Sequence, residues 1–185
     1  MKKRCAWVSD DPVYIDYHDK EWGRPIYDER LLFEFLILEG AQAGLSWITI
    51  LKKRDNYRKA FDNFNPKLIA NYKQTKITQL LANPGIVRNR LKVAAAVTNA
   101  KIYLELKEEG VNFSDYLWEF VGGKPIKNQR KSMMQIPATT EISDRMAKAL
   151  KKRGFKFIGS SICYAFMQAV GMVNDHTQDC FCYKK

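Results

Sequence analysis

The chain has 185 residues, of which 46% are hydrophobic and 28% are charged. A chain of this length and apolar content buries roughly 70% of the surface that its unfolded form exposes, which excludes a disordered basic tail. There are 31 lysines and arginines against 20 aspartates and glutamates, so the net charge of +11 predicts a polyanionic partner, although a membrane surface would also attract it. We predict a single globular domain over residues 1–185.

The longest apolar run does not have the composition of a membrane span. It extends from Leu31 to Leu51 and contains Glu34 and Glu39, and a carboxylate at the centre of a bilayer costs several kcal/mol. Aspartates follow the basic N-terminus where a secretory signal would have an apolar segment. We therefore expect a cytoplasmic protein with no membrane partner, whose four cysteines are metal ligands or buried thiols rather than disulfides.

Apolar residues recur at intervals of three and four along most of the chain, which predicts a mainly α-helical fold. Asp28 is placed to cap a long buried segment over 29–53, although a short strand over 47–51 is an alternative. Further helices are predicted over 86–110, over 143–153 with Ser143 as N-cap, and over 160–171. In the first of these, one apolar stripe contains Val87, Leu91, Ala94, Ala95, Thr98 and Ile102.

The segment between the last two predicted helices has the composition of a phosphate-binding turn. Gly154 and Gly159 bound it and allow close backbone approach, and Lys156 is one of several cations around it. The free N–H groups of the second helix, with the hydroxyls of Ser160 and Ser161, would point at a bound phosphate. The alternative is an ordinary helical hairpin with a solvated basic turn.

A possible metal site combines residues from the two ends of the chain. Cys5 and His18 lie near the N-terminus, and His176 and Cys180 are spaced so that they share one helical face or one tight loop. Two cysteines and two histidines form a closed tetrahedral set suited to structural Zn²⁺, and Cys182 is a competing ligand. The alternative is a set of buried histidines and thiols without a metal.

A polar face interrupts the apolar segment, because Glu39, Gln42 and Ser46 are spaced three and four apart. A carboxylate in apolar surroundings must be paired, neutralised or used, so Glu39 is either a buried structural acid or the acceptor in a ligand pocket. Aromatic residues are dense in the first 22 positions, which is typical of core or of a wall that stacks on a cationic heterocycle. They are Trp7, Tyr14, Tyr17 and Trp22, with Trp47 near Ser46.

Several long motifs together resemble the bacterial 3-methyladenine DNA glycosylase I family, and the resemblance covers almost the whole chain. The motifs are Cys5-Ala6-Trp7, the run from Asp11 to Gly23, the run from Glu39 to Trp47, the run from Lys151 to Phe157, and Val173-Asn174-Asp175-His176.

The resemblance implies a helix-hairpin-helix DNA glycosylase fold, with the hairpin unit at about 143–171 gripping the backbone of double-stranded DNA beside a lesion. It also implies one structural zinc ion that joins the N- and C-terminal segments. The implied zinc ligands are Cys5, His18, His176 and Cys180. The implied base pocket has Glu39 with aromatic walls at Trp7, Tyr14, Tyr17 and Trp47.

The activity implied is hydrolysis of the N-glycosidic bond of 3-methyladenine in alkylated DNA, the first step of base-excision repair. The methylated base is cationic, so we expect Glu39 to act as the catalytic residue by charge complementarity to the flipped base. No lysine is marked as a Schiff-base nucleophile, which predicts a monofunctional enzyme, and nothing requires more than a monomer. Asp175 directly precedes a proposed zinc ligand and receives no assigned role.

Two other functions fit the same residues. One is a zinc-stabilised DNA-binding module without catalytic activity, which would use the same hairpin and basic surface. The other is a glycosylase of the same fold with another lesion preference or with lyase activity.

Overall fold

A computed structural model describes residues 2–183, and it is mainly helical as expected; positions 1 and 184–185 of the predicted domain lie outside the described residues. The helices in this range are α1 (Pro12–Lys20), α2 (Glu29–Gln42), α3 (Trp47–Ala60), α4 (Pro66–Ile69), α5 (Gln74–Ala82), α6 (Arg90–Glu108), α7 (Phe113–Trp118), α8 (Glu141–Lys152) and α9 (Ser160–Ala169). Two short strands, β1 (Ile126–Lys127) and β2 (Val173–Asn174), pair in parallel.

The central element is α2, which is buried continuously over residues 32–41. It begins where predicted, because the Asp28 side chain accepts a hydrogen bond from the Leu31 N–H at 2.8 Å. Helices α3, α6, α7 and α9 all pack against it. Most residues of α2 over 32–41 are apolar, on all sides of the helix, and such a helix is stable only when other elements surround it, which explains its central position.

The predicted uninterrupted segment over 29–53 is wrong, and so is the alternative strand over 47–51. The chain leaves α2 after Gln42 and starts α3 at Trp47. Gly44 between them has a φ of +79°, a left-handed conformation that ends a helix and that favours glycine. The glycine at position 44 is visible in the sequence, but the apolar residues on both sides of it favour the prediction of one continuous segment.

Helix α6 ends as predicted, but only part of the predicted apolar stripe is buried, since Ala95 and Ile102 are buried whereas Leu91 and Ala94 are exposed. Gly110, with a φ of +79°, follows its C-terminus, while Asn89 caps its start by accepting from the Lys92 N–H at 3.0 Å. Leu91 belongs to that predicted stripe and is 69% exposed. The residues that α6 buries are Val93, Ala95, Ala96, Asn99, Ala100, Ile102, Tyr103 and Leu106. Helical periodicity alone did not distinguish the two apolar stripes.

Helices α8 and α9 pack closely against each other. Thr140 caps α8, and Ser143 is the third helical residue, whose side chain closes a capping box with Thr140, so the predicted cap at Ser143 is wrong. Helix α9 begins at Ser160 as predicted. It is followed by Gly171, where a Cβ atom would lie 2.1 Å from the Arg24 carbonyl carbon, so only glycine allows this approach.

The two ends of the described chain meet. The Phe181 N–H donates to the Lys3 carbonyl at 2.9 Å, and the buried side chains form one contiguous core that extends from Cys5 to Cys182. The segment over 122–137, which begins with two glycines, joins this body through β1, which pairs with β2. No helix within residues 2–183 is both long and apolar enough to cross a bilayer.

Candidate active site and metal centre

A cavity of about 220 Å³ lies among α1, α2, α3 and α9. It is lined by all five predicted pocket residues, which are Trp7, Tyr14, Tyr17, Glu39 and Trp47. Six further residues complete the lining: Trp22, Gln42, Met133, Ile136, Ala165 and Gln168. The last four come from two distant segments of the chain, so no local spacing connects them with the N-terminal aromatic cluster.

Aromatic rings form the walls of this cavity. The ring centroid of Trp7 lies 4.9 Å from that of Tyr14 and 5.0 Å from that of Trp22. Tyr17 and Trp47 form a second pair, with centroids 5.6 Å apart. Because each ring packs against another, the walls are held rigidly and present aromatic faces and edges to a flat ligand.

Glu39 lies at the base of the cavity and is 3% exposed. Burial raises the pKa of Glu39 to about 8, so the carboxyl group is mainly neutral at pH 7 unless a cation approaches it. Within the described residues its Oε2 atom has no hydrogen-bond partner, and the indole N–H groups of Trp7 and Trp47 have none. Such buried polar atoms are rare in folded proteins, and their position in one cavity indicates that a ligand supplies the partners.

The predicted polar face of Glu39, Gln42 and Ser46 is only partly correct. Glu39 and Gln42 share the last turn of α2 and both line the cavity. Ser46 lies beyond the break at Gly44, where its exposed hydroxyl forms a hydrogen bond of 2.7 Å with that of Thr49. The turn after α2 therefore removes Ser46 from the face that helical spacing predicted.

The four predicted metal ligands are brought together next to this cavity. Cys5, His18, His176 and Cys180 are all buried, and their ligand atoms lie within 4.8 Å of one another. The Cys180 Sγ atom lies 3.4 Å from His18 Nε2 and 3.6 Å from His176 Nδ1, and Cys5 Sγ lies 3.5 Å from the same His176 atom. A tetrahedral zinc ion with ordinary bond lengths would separate sulfur and nitrogen ligands by about 3.6 Å, so the cluster fits such an ion.

The other nitrogen of each histidine is also bound, which fixes the orientation of both rings. His18 Nδ1 lies 2.8 Å from Asp19 Oδ1, and His176 Nε2 lies 3.1 Å from the carbonyl oxygen of Trp22. Arg4 donates to both oxygens of Asp19, at 2.8 and 2.7 Å. Metal-binding histidines generally have such outer partners. Cys182 is outside the four-residue cluster, and its N–H donates to Cys180 Sγ at 3.4 Å.

The connection between α8 and α9 holds the predicted DNA-contacting residues. Lys156 and Ser161 are exposed, and Gly154 adopts a φ of +98° that favours glycine. Gly159 precedes α9, and a Cβ atom there would meet open space. The Ser160 hydroxyl is already bonded to that of Ser143 at 2.7 Å, so it is less available to a ligand than the sequence suggested.

The fold and the cavity define a helical protein with a small aromatic ligand pocket. The chain belongs to the methyladenine glycosylase family, whose sequence profile matches residues 7–183. It is 53% identical over 182 residues to the DNA-3-methyladenine glycosylase of Haemophilus influenzae, and the match covers 98% of each chain.

Solved structures agree with this assignment. One is the crystal structure of a 3-methyladenine DNA glycosylase I, with a TM-score of 0.96 and 54% identity over 97% of this chain and 99% of the other. Another is a structure of 3-methyladenine DNA glycosylase I from Staphylococcus aureus, described as the structural basis of 3-methyladenine recognition. Its TM-score is 0.95, with 39% identity over 98% of this chain and 97% of the other.

Proposed function

We propose that this protein is a monofunctional DNA glycosylase that hydrolyses the N-glycosidic bond of 3-methyladenine in alkylated DNA. It releases the free base and leaves an abasic site, as in base-excision repair. The observation that carries the proposal is the buried Oε2 atom of Glu39, which has no hydrogen-bond partner among the described residues and lies in a cavity with aromatic walls. A volume of about 220 Å³ is at the small end for ligand pockets, which suits one flat heterocycle.

Charge selects the substrate. A methyl group on the N3 atom makes the attached adenine cationic, and a cation in the cavity stabilises the ionised form of Glu39. The carboxylate then accepts hydrogen bonds from the amino edge of the base, which stacks on Trp7, Tyr14, Tyr17 and Trp47. Neutral adenine offers no such charge, so it meets a protonated Glu39 whose pKa is about 8. Glu39 is thus the catalytic residue through charge complementarity.

The cationic base is already a good leaving group, so the main task of the enzyme is to select this base rather than to activate the glycosidic bond. The base leaves as an oxocarbenium-like sugar develops, and water adds to the sugar carbon. No lysine lines the cavity within residues 2–183, which agrees with hydrolysis rather than a Schiff-base lyase reaction.

The segment over 143–171 is proposed to act as a helix-hairpin-helix unit on double-stranded DNA. Gly154 and Gly159 allow the backbone to approach a phosphate, and the first N–H groups of α9 point toward the same anion. Lys156 adds positive charge, and Ser161 adds an exposed hydroxyl. The bonded hydroxyl of Ser160 contributes chiefly to holding α8 and α9 together.

Cys5, His18, His176 and Cys180 are proposed to hold one Zn²⁺ ion. When bound, the ion supplies a structural cross-link and no open coordination position, because four protein ligands complete a tetrahedron. The cross-link would join the N- and C-terminal segments beside Trp7 and Trp22, both of which line the cavity. We further propose a single domain that acts as a monomer in the cytoplasm, the bacterial compartment that contains the DNA.

The test is to incubate the purified protein with methylated duplex DNA and to identify released bases by chromatography and mass spectrometry. Release of 3-methyladenine with little 7-methylguanine is expected. Glu39→Gln should slow release by at least about 100-fold, the size typical of losing a main electrostatic contact. Glu105→Gln, at an exposed position on α6, is the matched control and should release base normally.

Two outcomes would overturn the proposal. DNA binding without base release would favour the non-catalytic binding module. A covalent protein–DNA adduct after borohydride treatment would contradict the monofunctional assignment.

A further inference from the structure

Asp175 is a buried carboxylate that the proposed mechanism does not use. It is 0% exposed and accepts hydrogen bonds from four side chains. The donors are Asn128 at 2.7 Å, Arg130 at 3.1 Å, Tyr164 at 2.5 Å and Gln168 at 2.9 Å. A carboxylate enclosed by so many donors cannot reach a substrate itself, so any effect on the reaction must pass through one of these partners.

Gln168 is the partner that extends to the cavity. A carboxylate only accepts hydrogen bonds, so the amide nitrogen of Gln168 must face Asp175, at 2.9 Å. The amide is planar, and its Oε1 atom is therefore directed away from Asp175. Among the described residues none donates a hydrogen bond to this oxygen. Asp175 thus fixes Gln168 as a hydrogen-bond acceptor at the cavity.

Glu39 and Gln168 are two acceptors of the cavity that differ in exposure. Glu39 is 3% exposed, whereas Gln168 is only half-buried. A flipped base whose amino edge is bound at Glu39 lies deep in the cavity, and its sugar remains attached to the DNA backbone near the opening. Gln42 is also half-buried, but no described side chain orients its amide. Gln168 is therefore the acceptor with a defined orientation on the side where the sugar lies.

We propose that Oε1 of Gln168 holds the attacking water, and that Asp175 is the positioning residue that orients the Gln168 amide. This inference rests on the proposed function. The bond between the sugar carbon and the base nitrogen breaks, and its electron pair goes to the base, which leaves neutral. The water oxygen forms the new bond to the sugar carbon while Gln168 accepts a hydrogen bond from it, and the water proton is released to solvent. Gln168 aligns the water and does not take its proton.

The experiment compares Gln168→Met with Tyr164→Phe. Each variant removes one donor from Asp175, but only the first removes an acceptor from the cavity. Two quantities are measured: the single-turnover rate of base release from methylated duplex DNA, and the affinity for free 3-methyladenine by calorimetry. Gln168→Met should lower the rate by about 10- to 100-fold, the cost of misplacing a reactant, and leave the affinity within about twofold. Tyr164→Phe should stay much closer to the parent rate.

Other results overturn the inference. An unchanged rate in Gln168→Met excludes the role in holding water, and parallel losses of rate and base affinity assign Gln168 to base recognition instead. Equal losses in both variants show that only the integrity of the Asp175 cluster matters. If Gln168→Met does not fold, Gln168→Asn is the substitute, because it keeps an amide but withdraws it by one methylene. We again expect a lower rate of base release and an unchanged affinity for free 3-methyladenine. No release by the parent protein overturns the proposed function as well.

Discussion

Asn99 binds both backbone polar groups of Lys156. The Lys156 N–H donates to Asn99 Oδ1 at 2.8 Å, and Asn99 Nδ2 donates to the Lys156 carbonyl at 3.1 Å. Asn99 is 3% exposed on α6, so a buried amide of one helix holds the connection between α8 and α9. The next residue, Phe157, has a φ of +54°, an unfavourable conformation for an aromatic residue that persists only where its surroundings hold it.

We predict that Asn99→Ala destabilises the protein by about 1–3 kcal/mol, because the buried N–H of Lys156 loses its acceptor. It should also weaken binding to duplex DNA more than binding of free 3-methyladenine, since the connection that we propose contacts DNA is released and no residue of the cavity lining is changed. Urea unfolding and the two binding assays measure this. Thr98→Ala, on the same helix, is the control, and equal effects of the two variants would contradict the prediction.

The raised pKa of Glu39 predicts a specific dependence of stability on pH. Folding raises this pKa from its ordinary value near 4.5 to about 8, so the folded protein binds the proton more tightly than the unfolded chain does. The free energy of unfolding should therefore fall as the pH rises through this interval, by at most about 1.4 kcal/mol per unit, and level off above it.

Glu39→Gln removes this contribution. Its stability relative to the parent should rise from pH 5 to pH 8, and urea unfolding across that range measures the difference. Parallel curves for the two proteins would show that the carboxyl is ionised in the folded state at all these pH values, against the predicted shift.

Metal removal provides a further prediction. Cys5→Ala should abolish stoichiometric zinc in protein purified without chelators and lower the melting temperature, because a structural metal contributes its binding energy to folding. Cys163→Ala is the matched control, since Cys163 is equally buried on α9 but lies outside the four-residue cluster. Zinc content below about half an equivalent in the parent would argue against the zinc assignment.

Lys92 closes the C-terminal end of α2, the helix that carries Glu39. Its Nζ atom donates to the carbonyl oxygens of Ala41 at 2.8 Å and Ala43 at 2.6 Å, two of the acceptors that a helix end leaves without partners. Lys92→Met should cost about 1–3 kcal/mol of stability and slow base release, because the turn beside the cavity loosens.

Lys53→Met is the control for this prediction. Lys53, on α3, also donates to a backbone carbonyl, that of Pro84 at 3.0 Å, but this hydrogen bond is exposed to solvent. Equal rates of base release for the two variants would exclude a role of Lys92 in shaping the cavity.

Local sequence patterns were sufficient to predict the start or end of a helix where the residues that determine it lie within one short segment. The cap at Asp28, the stop at Gly110 and the start of α9 at Ser160 were each predicted from a few neighbouring residues. The four metal-binding candidates were also found from the sequence, because histidine occurs only twice and each histidine has a cysteine nearby in the chain. The resemblance to a family implies the same four ligands, but it gives no distances between them.

Local sequence patterns gave wrong predictions where two alternative conformations, or two alternative buried faces, have similar local energies. Apolar residues on both sides of Gly44 predict one continuous segment although the chain breaks there, and the apolar stripe predicted for α6 includes Leu91, which is exposed. Several stripes of α6 are apolar, so the positions of α2, α4, α5 and α7 around it decide which one is buried.

By itself, the sequence determined the helical class of the fold, the basic charge, and a carboxylate at position 39 among apolar and aromatic residues. Only the tertiary structure decided that Glu39 Oε2 has no hydrogen-bond partner within residues 2–183, that Ser160 is already bonded, and that Gln168, a residue of the cavity lining, donates to Asp175. The physical reason is the range of the interactions. Helix caps and periodicity arise within one or two turns, whereas burial and the direction of a side-chain amide depend on segments that are distant in the chain and meet only on folding.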